Sequence, residues 1–208
     1  MVLESRRAFA DRALLPLAER LRTVSPNALS WAAFLVAAGA GFAFFLATPV
    51  FLLVAILLVF LNALLDALDG KVAKITGKTS ARGDFLDHVL DRYADVLMVG
   101  GIALGAYGNV LVGLFALLGV LLASYMGTQA QAVGLGRAYG GLMGRADRLV
   151  LIFFAAWIQL LADPLGRGFG VGDVSFTPLT WLLLVLAVLG QFTAIQRAIA
   201  SWRRLGAS

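Results

Sequence analysis

Apolar residues run through this chain in blocks of roughly 18 or more, long enough to cross a bilayer as helices, with short polar or Gly/Pro-containing breaks between them. The pattern predicts six spans: about 28–47, from 49 to a polar loop at 75–82, from about 83 to a turn at 107–109, 110–133, 148–162 and 179–200. The glycine-rich stretch 134–148 and the Gly-, Pro- and Asp-containing stretch 163–178 read as loops. Residues 2–23 follow a different pattern: Leu3, Phe9, Leu14, Leu17 and Leu21 recur at helical spacing among Arg6, Arg7, Arg12, Glu19, Arg20 and Arg22. That alternation predicts an amphipathic helix lying in the interface rather than crossing it. Ser25 and Pro26 mark the next helix start, as cap and first-turn proline. The expected fold is an all-α integral membrane domain over 1–208, with an interfacial helix at 1–24 and a six-helix transmembrane bundle at 25–208.

Composition agrees. Of the 208 residues 61% are hydrophobic, against about 45–50% in soluble domains, and the mean hydropathy is +0.89. The N-terminus carries charges throughout and lacks the uninterrupted apolar core of a cleavable signal. There is no cysteine, which excludes disulfides and thiolate metal sites. A net charge of +5 would suggest nucleic acid in a soluble protein; here anionic headgroups and cytoplasmic loops account for it, and no nucleic-acid partner is expected. Lys71, Lys74, Lys78, Arg82, Arg145, Arg148, Arg203, Arg204 and the N-terminal arginines fall on one side of the predicted layout, and Arg167 alone on the other. A multi-pass protein of the cell membrane follows, with both termini and the 75–82 loop in the cytoplasm.

The segment Asp66–Asp91 breaks the apolar pattern. Asp66 and Asp69 are three apart at the end of the second span, and Asp87 and Asp91 four apart at the start of the third, so each pair shares a helix face. A short loop makes the two helices antiparallel neighbours, and four carboxylates then converge at the membrane boundary. Left alone they repel one another; one or two hard divalent cations, Mg2+, Mn2+ or Ca2+ rather than zinc or copper, suit an all-oxygen set. Gly70 and Ala73 leave room beside them, and Lys71, Lys74, Lys78 and Arg82 supply the cations that a diphosphate requires.

These residues carry a resemblance. Asp66, Asp69, Gly70, Ala73, Lys74, Gly83, Asp87 and Asp91 match the spacing D-x2-D-G-x2-A-R-x8-G-x3-D-x3-D of the CDP-alcohol phosphotransferases, with Lys74 at the arginine position. Lysine keeps the charge and loses the planar fork. The resemblance implies a transferase of phospholipid biosynthesis: an alcohol hydroxyl attacks the lipid-side phosphorus of a CDP-linked lipid, and CMP leaves. By likeness Asp66, Asp69, Asp87 and Asp91 hold a two-metal site, and Asp91 is the general base. Asp69, Gly70, Ala73, Lys74, Ser80 and Gly83 then form the nucleotide and diphosphate site. A homodimer and the bilayer itself are further partners the family implies.

A second stretch bears on the acceptor. Arg145 and Arg148 stand before the fifth span and Arg197 near the end of the sixth, where arginines on apolar helices suit a buried anion. With Ser124 they resemble the acceptor-phosphate set of the inositol-phosphate branch, although Gly127 replaces a lysine and Gln129 an arginine of the bacterial members. "SYMGTQAQAVG" followed by "GRADRL" is closer to archaeal members, which points to archaetidylinositol phosphate. Glycerol 3-phosphate is the rival acceptor, and an ion transporter with an acidic pathway is the rival class. Of the remaining residues, His88 is expected as an interfacial side chain and Asp84 as a cap of the third helix. Asp95 is expected to pair with Arg92 or another helix, Asp147 to cap or pair, and Asn62 to bond between helices.

Overall fold

A computed structural model describes residues 14–136, 140–162, 169–171 and 174–206. Residues 14–20 are helical (α1) and 21–24, expected to continue the interfacial helix, form turns and a bend; residues 1–13 of that expected helix lie outside the described residues. Six long helices follow: α2 (Pro26–Leu46), α3 (Pro49–Ile75), α4 (Ala81–Leu104), α5 (Val110–Ala132), α6 (Arg145–Ala162) and α7 (Pro178–Leu205). Four of them, α2, α3, α5 and α7, are long and apolar enough to cross a membrane. Their outer faces expose Leu35, Phe42, Leu57, Leu114 and Val188, far more apolar surface than a soluble monomer leaves open.

Local chemistry sets the helix ends. Ser25, Thr48, Ser80, Asn109 and Thr177 cap α2, α3, α4, α5 and α7, each side-chain oxygen accepting a first-turn N–H, and proline opens α2, α3 and α7. The cap of α4 is therefore Ser80; Asp84, expected there, sits in the first turn and pairs with His88 at 3.3 Å. α6 starts three residues earlier than expected because the Asp147 carboxylate accepts from the Gly144 N–H at 2.7 Å, closing the first turn before Arg148. The stretch 163–178, expected as loop, contains an antiparallel pair, β1 (Phe169–Val171) with β2 (Val174–Phe176), so the described fold is helical with one small hairpin. The sequence FGV-GD-VSF has the matching signature of short strands about a Gly-Asp pair.

α2 packs on α3 and α4, α5 on α7, and α3 on α6. The core runs through Phe44, Leu52, Ile56, Met98, Ile102 and Leu183. α2 and α4 approach closely at Gly41 and Gly101: a Cβ on Gly101 would drive into the Gly41 carbonyl. Asn62 donates from α3 to the Ala33 carbonyl of α2 at 2.9 Å, the expected interhelix bond. Leu14, Leu17, Ala18 and Leu21 cover Leu29, Leu68 and Val72 where α2 begins and α3 ends. That packing ties α1 to the end of the bundle where the acidic residues lie.

Candidate active site

The end of α3 and the start of α4 bring the acidic residues together. Asp66, Asp69 and Asp87 each offer a carboxylate oxygen, all within 4.8 Å of one another. Asp87 is shared with a second group, Asp87, His88 and Asp91, of the same span. His88, expected as an interfacial side chain, lies 3.6 Å from the Asp87 carboxylate through Nδ1. Asp69 is buried and accepts a 2.6 Å hydrogen bond from the Ser30 hydroxyl of α2, which fixes how its carboxylate faces the cluster. A dense all-oxygen set with one member so oriented fits a hard divalent cation.

Guanidinium groups from α4 and α6 line the far side of the cluster. Arg145, on the first turn of α6, pairs with Asp66 through Nη1 and with Asp91 through Nη2 at 2.9 Å. One turn on, Arg148 donates to Asp95 at 2.7 Å, both side chains almost wholly buried (4% and 3% exposed). Arg92 stands between the two rungs, 3.6 Å from Asp91 and 3.5 Å from Asp95. Asp95 thus pairs both with Arg92 and with another helix. Charges of opposite sign alternate from Asp66 to Arg148 and bind α6 to α3 and α4.

Two hollows adjoin the cluster. One, of about 230 Å³, is lined by Asp69, Gly70, Ala73, Lys74, Ser80 and Gly83, all singled out from the sequence, and also by Pro26, Asn27, Lys78 and Thr79. Gly70 faces open space, with no atom within 4 Å of where a Cβ would stand. The other, of about 390 Å³, is an apolar groove between α3 and α6 that starts at Asp66 and Arg145 and continues along Val59, Phe60, Phe153 and Phe154. A carboxylate cluster therefore sits between a small cation-edged pocket and a hydrocarbon-lined channel.

The sequence model of the CDP-alcohol phosphatidyltransferases matches residues 23–194. The chain belongs to that family. It is a multi-pass membrane enzyme of phospholipid synthesis, a phosphotransferase, which sets aside the ion-transporter alternative. It is 33% identical over 211 residues to the archaetidylinositol phosphate synthase of Methanothermobacter thermautotrophicus, covering 98% of this chain and 96% of that one. Its fold is similar to that of the Mycobacterium tuberculosis phosphatidylinositol phosphate synthase with CDP-DAG bound, at a TM-score of 0.73, 25% identity and coverage of 92% and 94% of the two chains. The structure of that mycobacterial protein in complex with manganese and citrate matches at a TM-score of 0.69 and 24% identity, covering 93% and 87%.

The phosphatidyltransferase signature residues from Asp66 to Asp91 thus meet at one end of the bundle. The residues assigned to the acceptor divide into two groups. Arg145 lies in the cluster, with Arg148 behind it on Asp95. Arg197 donates from Nε to the Gly140 carbonyl at 2.7 Å and from Nη1 to the Ala123 carbonyl at 2.6 Å, next to the buried Ser124. Arg197 therefore ties the segment before α6 onto α5, and the Met143 N–H, held by Thr193 at 3.2 Å, does the same for α7. Sequence reasoning missed Ser30, Asn27 and Thr79. Ser30 reaches Asp69 across 39 residues, a pairing that no local spacing announces.

Proposed function

We propose that the protein transfers the phospholipid moiety of a CDP-linked lipid, CDP-archaeol or CDP-diacylglycerol, to a hydroxyl of inositol phosphate, releasing CMP. The observation that carries this is the carboxylate cluster placed between a pocket edged by Lys74 and Lys78 and an apolar groove. One end suits a nucleotide diphosphate and the other a lipid chain. The donor named for the mycobacterial relative and the inositol phosphate in both relatives' names agree with it.

In this reading Asp66, Asp69, Asp87 and Asp91 hold one or two Mg2+ or Mn2+ ions. When bound, such ions offset charge on the reacting phosphoryl group. Two ligand groups sharing Asp87 are consistent with two adjacent ions, and manganese accompanies a relative of the same fold. Asp69, Gly70, Ala73, Lys74, Ser80 and Gly83 seat the cytidine and diphosphate, Lys74 as a point charge. Asp91 takes the proton of the attacking hydroxyl, with Arg145 and Arg92 beside it. Ser124, Arg145, Arg148 and Arg197 serve the acceptor phosphate, Arg148 and Arg197 also holding the walls of that site. Ser30 keeps Asp69 aimed; its replacement by alanine should weaken Mn2+ binding about 10- to 100-fold, read by titration of the ligand-free protein.

The same reading gives one domain of six spans, α4 and α6 joining the four long apolar helices, with α1 in the interface. The site and both termini face the cytoplasm, where Lys71, Lys74, Lys78, Arg82, Arg203 and Arg204 gather. A homodimer is included on family likeness. The acceptor is tested by steady-state kinetics with inositol 1-phosphate, glycerol 3-phosphate and free inositol. We expect kcat/KM to favour inositol phosphate over glycerol 3-phosphate by at least about 10-fold. The reverse order would overturn the acceptor and leave the transferase standing.

A further inference from the structure

Asp66 has two claimants. It belongs to the three-carboxylate group that suits a divalent cation, and it is also a partner of Arg145, whose second terminal nitrogen holds Asp91 at 2.9 Å. The fork of one guanidinium thus straddles two of the four carboxylates assigned to the metal site. A cation entering the cluster repels that guanidinium and draws on the same oxygens.

A change of rotamer at Arg145 would release both carboxylates without moving its helix. Its helix is anchored one turn further on by the buried Arg148–Asp95 pair. Arg145 itself is 15% exposed and borders the apolar groove. Its Nε is buried without a hydrogen-bond partner, a donor still available to an anion. A guanidinium drawn off two carboxylates needs a replacement counter-charge, and phosphate accepts its fork in the same bidentate way.

The geometry points to Arg145 as the residue that couples cation loading to capture of the phosphorylated acceptor. The acceptor's phosphate takes the guanidinium away from Asp66 and Asp91, and those carboxylates become open to the cation. Binding linkage is reciprocal, so each ligand tightens the other by the same factor. A polyol without phosphate supplies no counter-charge and produces no coupling. This rests on the proposed assignment of the metal and acceptor sites.

The test needs no turnover. Mn2+ affinity of the full chain in detergent is measured by electron paramagnetic resonance without CDP-lipid, and corrected for Mn2+ bound by inositol phosphate alone. Saturating inositol 1-phosphate should tighten Mn2+ binding to the wild-type protein by roughly 5-fold or more, and free inositol should leave it unchanged. Arg145→Gln should bind Mn2+ more tightly than wild type without acceptor and lose the response to inositol phosphate. Wild-type affinity indifferent to inositol phosphate overturns the coupling, and so does an Arg145→Gln protein that keeps the response. A wild-type protein that binds no Mn2+ under any of these conditions overturns the metal site as well. The wild-type arm stands even if the variant does not fold.

Discussion

Replacing Asp91 by asparagine is expected to lower turnover about 10²- to 10⁴-fold, the contribution of a positioned base. Asparagine keeps the shape of the side chain and its capacity to accept from Arg145, but it takes no proton. Like Asp66, Asp91 joins the metal cluster to the arginines: it shares a ligand group with Asp87 and His88 and lies 2.9 Å from Arg145. The loss should fall on kcat in single-turnover measurements with pre-bound CDP-lipid. Mn2+ affinity should change less, because Asp66, Asp69 and Asp87 form a group without it. Turnover within a few-fold of wild type would remove Asp91 from the role of base and leave the family assignment intact.

Replacing Asp95 by asparagine is expected to cost about 3–5 kcal/mol of stability, the range for breaking a buried ion pair by removal of one partner. Asp95 is almost wholly buried, and so is the Arg148 that donates to it at 2.7 Å. The substitution leaves a guanidinium uncompensated inside the bundle, with Arg92 adding a second positive charge 3.5 Å from the same carboxylate. Substituting both partners should recover most of the loss, since a buried pair exchanged for well-packed apolar or neutral groups is often neutral in stability. Asp95→Asn/Arg148→Met is the pair to compare, by thermal unfolding in detergent. If the double variant regains stability and keeps a raised KM for inositol phosphate, Arg148 serves the acceptor as well as the fold. A wild-type KM in the double variant would make it a brace alone.

The long helices of the bundle were legible because a bilayer imposes apolar length on the segments that cross it. The acidic cluster was legible for a different reason. Its members come from two helix ends joined by a short loop, so spacing along the chain translates directly into proximity in space. Contacts between distant segments were not legible in the same way. Ser30 meets Asp69, and Arg148 meets Asp95, only because α2 packs on α3, and α6 stands beside α4, where they do. Arg145 was expected as an anion ligand, and its sequence position could not indicate that it spans Asp66 and Asp91. Arg197 faces two backbone carbonyls for a similar reason, since both belong to elements more than 50 residues away. The start of α6 moved because a single Asp147–Gly144 bond closes its first turn.

The most direct test of the phosphotransfer centre is the product balance of a single reaction. The purified chain is incubated with CDP-archaeol or CDP-diacylglycerol, inositol 1-phosphate and Mg2+ or Mn2+, and CMP and lipid are both quantified by mass spectrometry. CMP and a lipid-linked inositol phosphate formed in equal amounts, and absent without the divalent cation, is the predicted result. CMP formed without the lipid product, or neither of them formed with either donor, would contradict it.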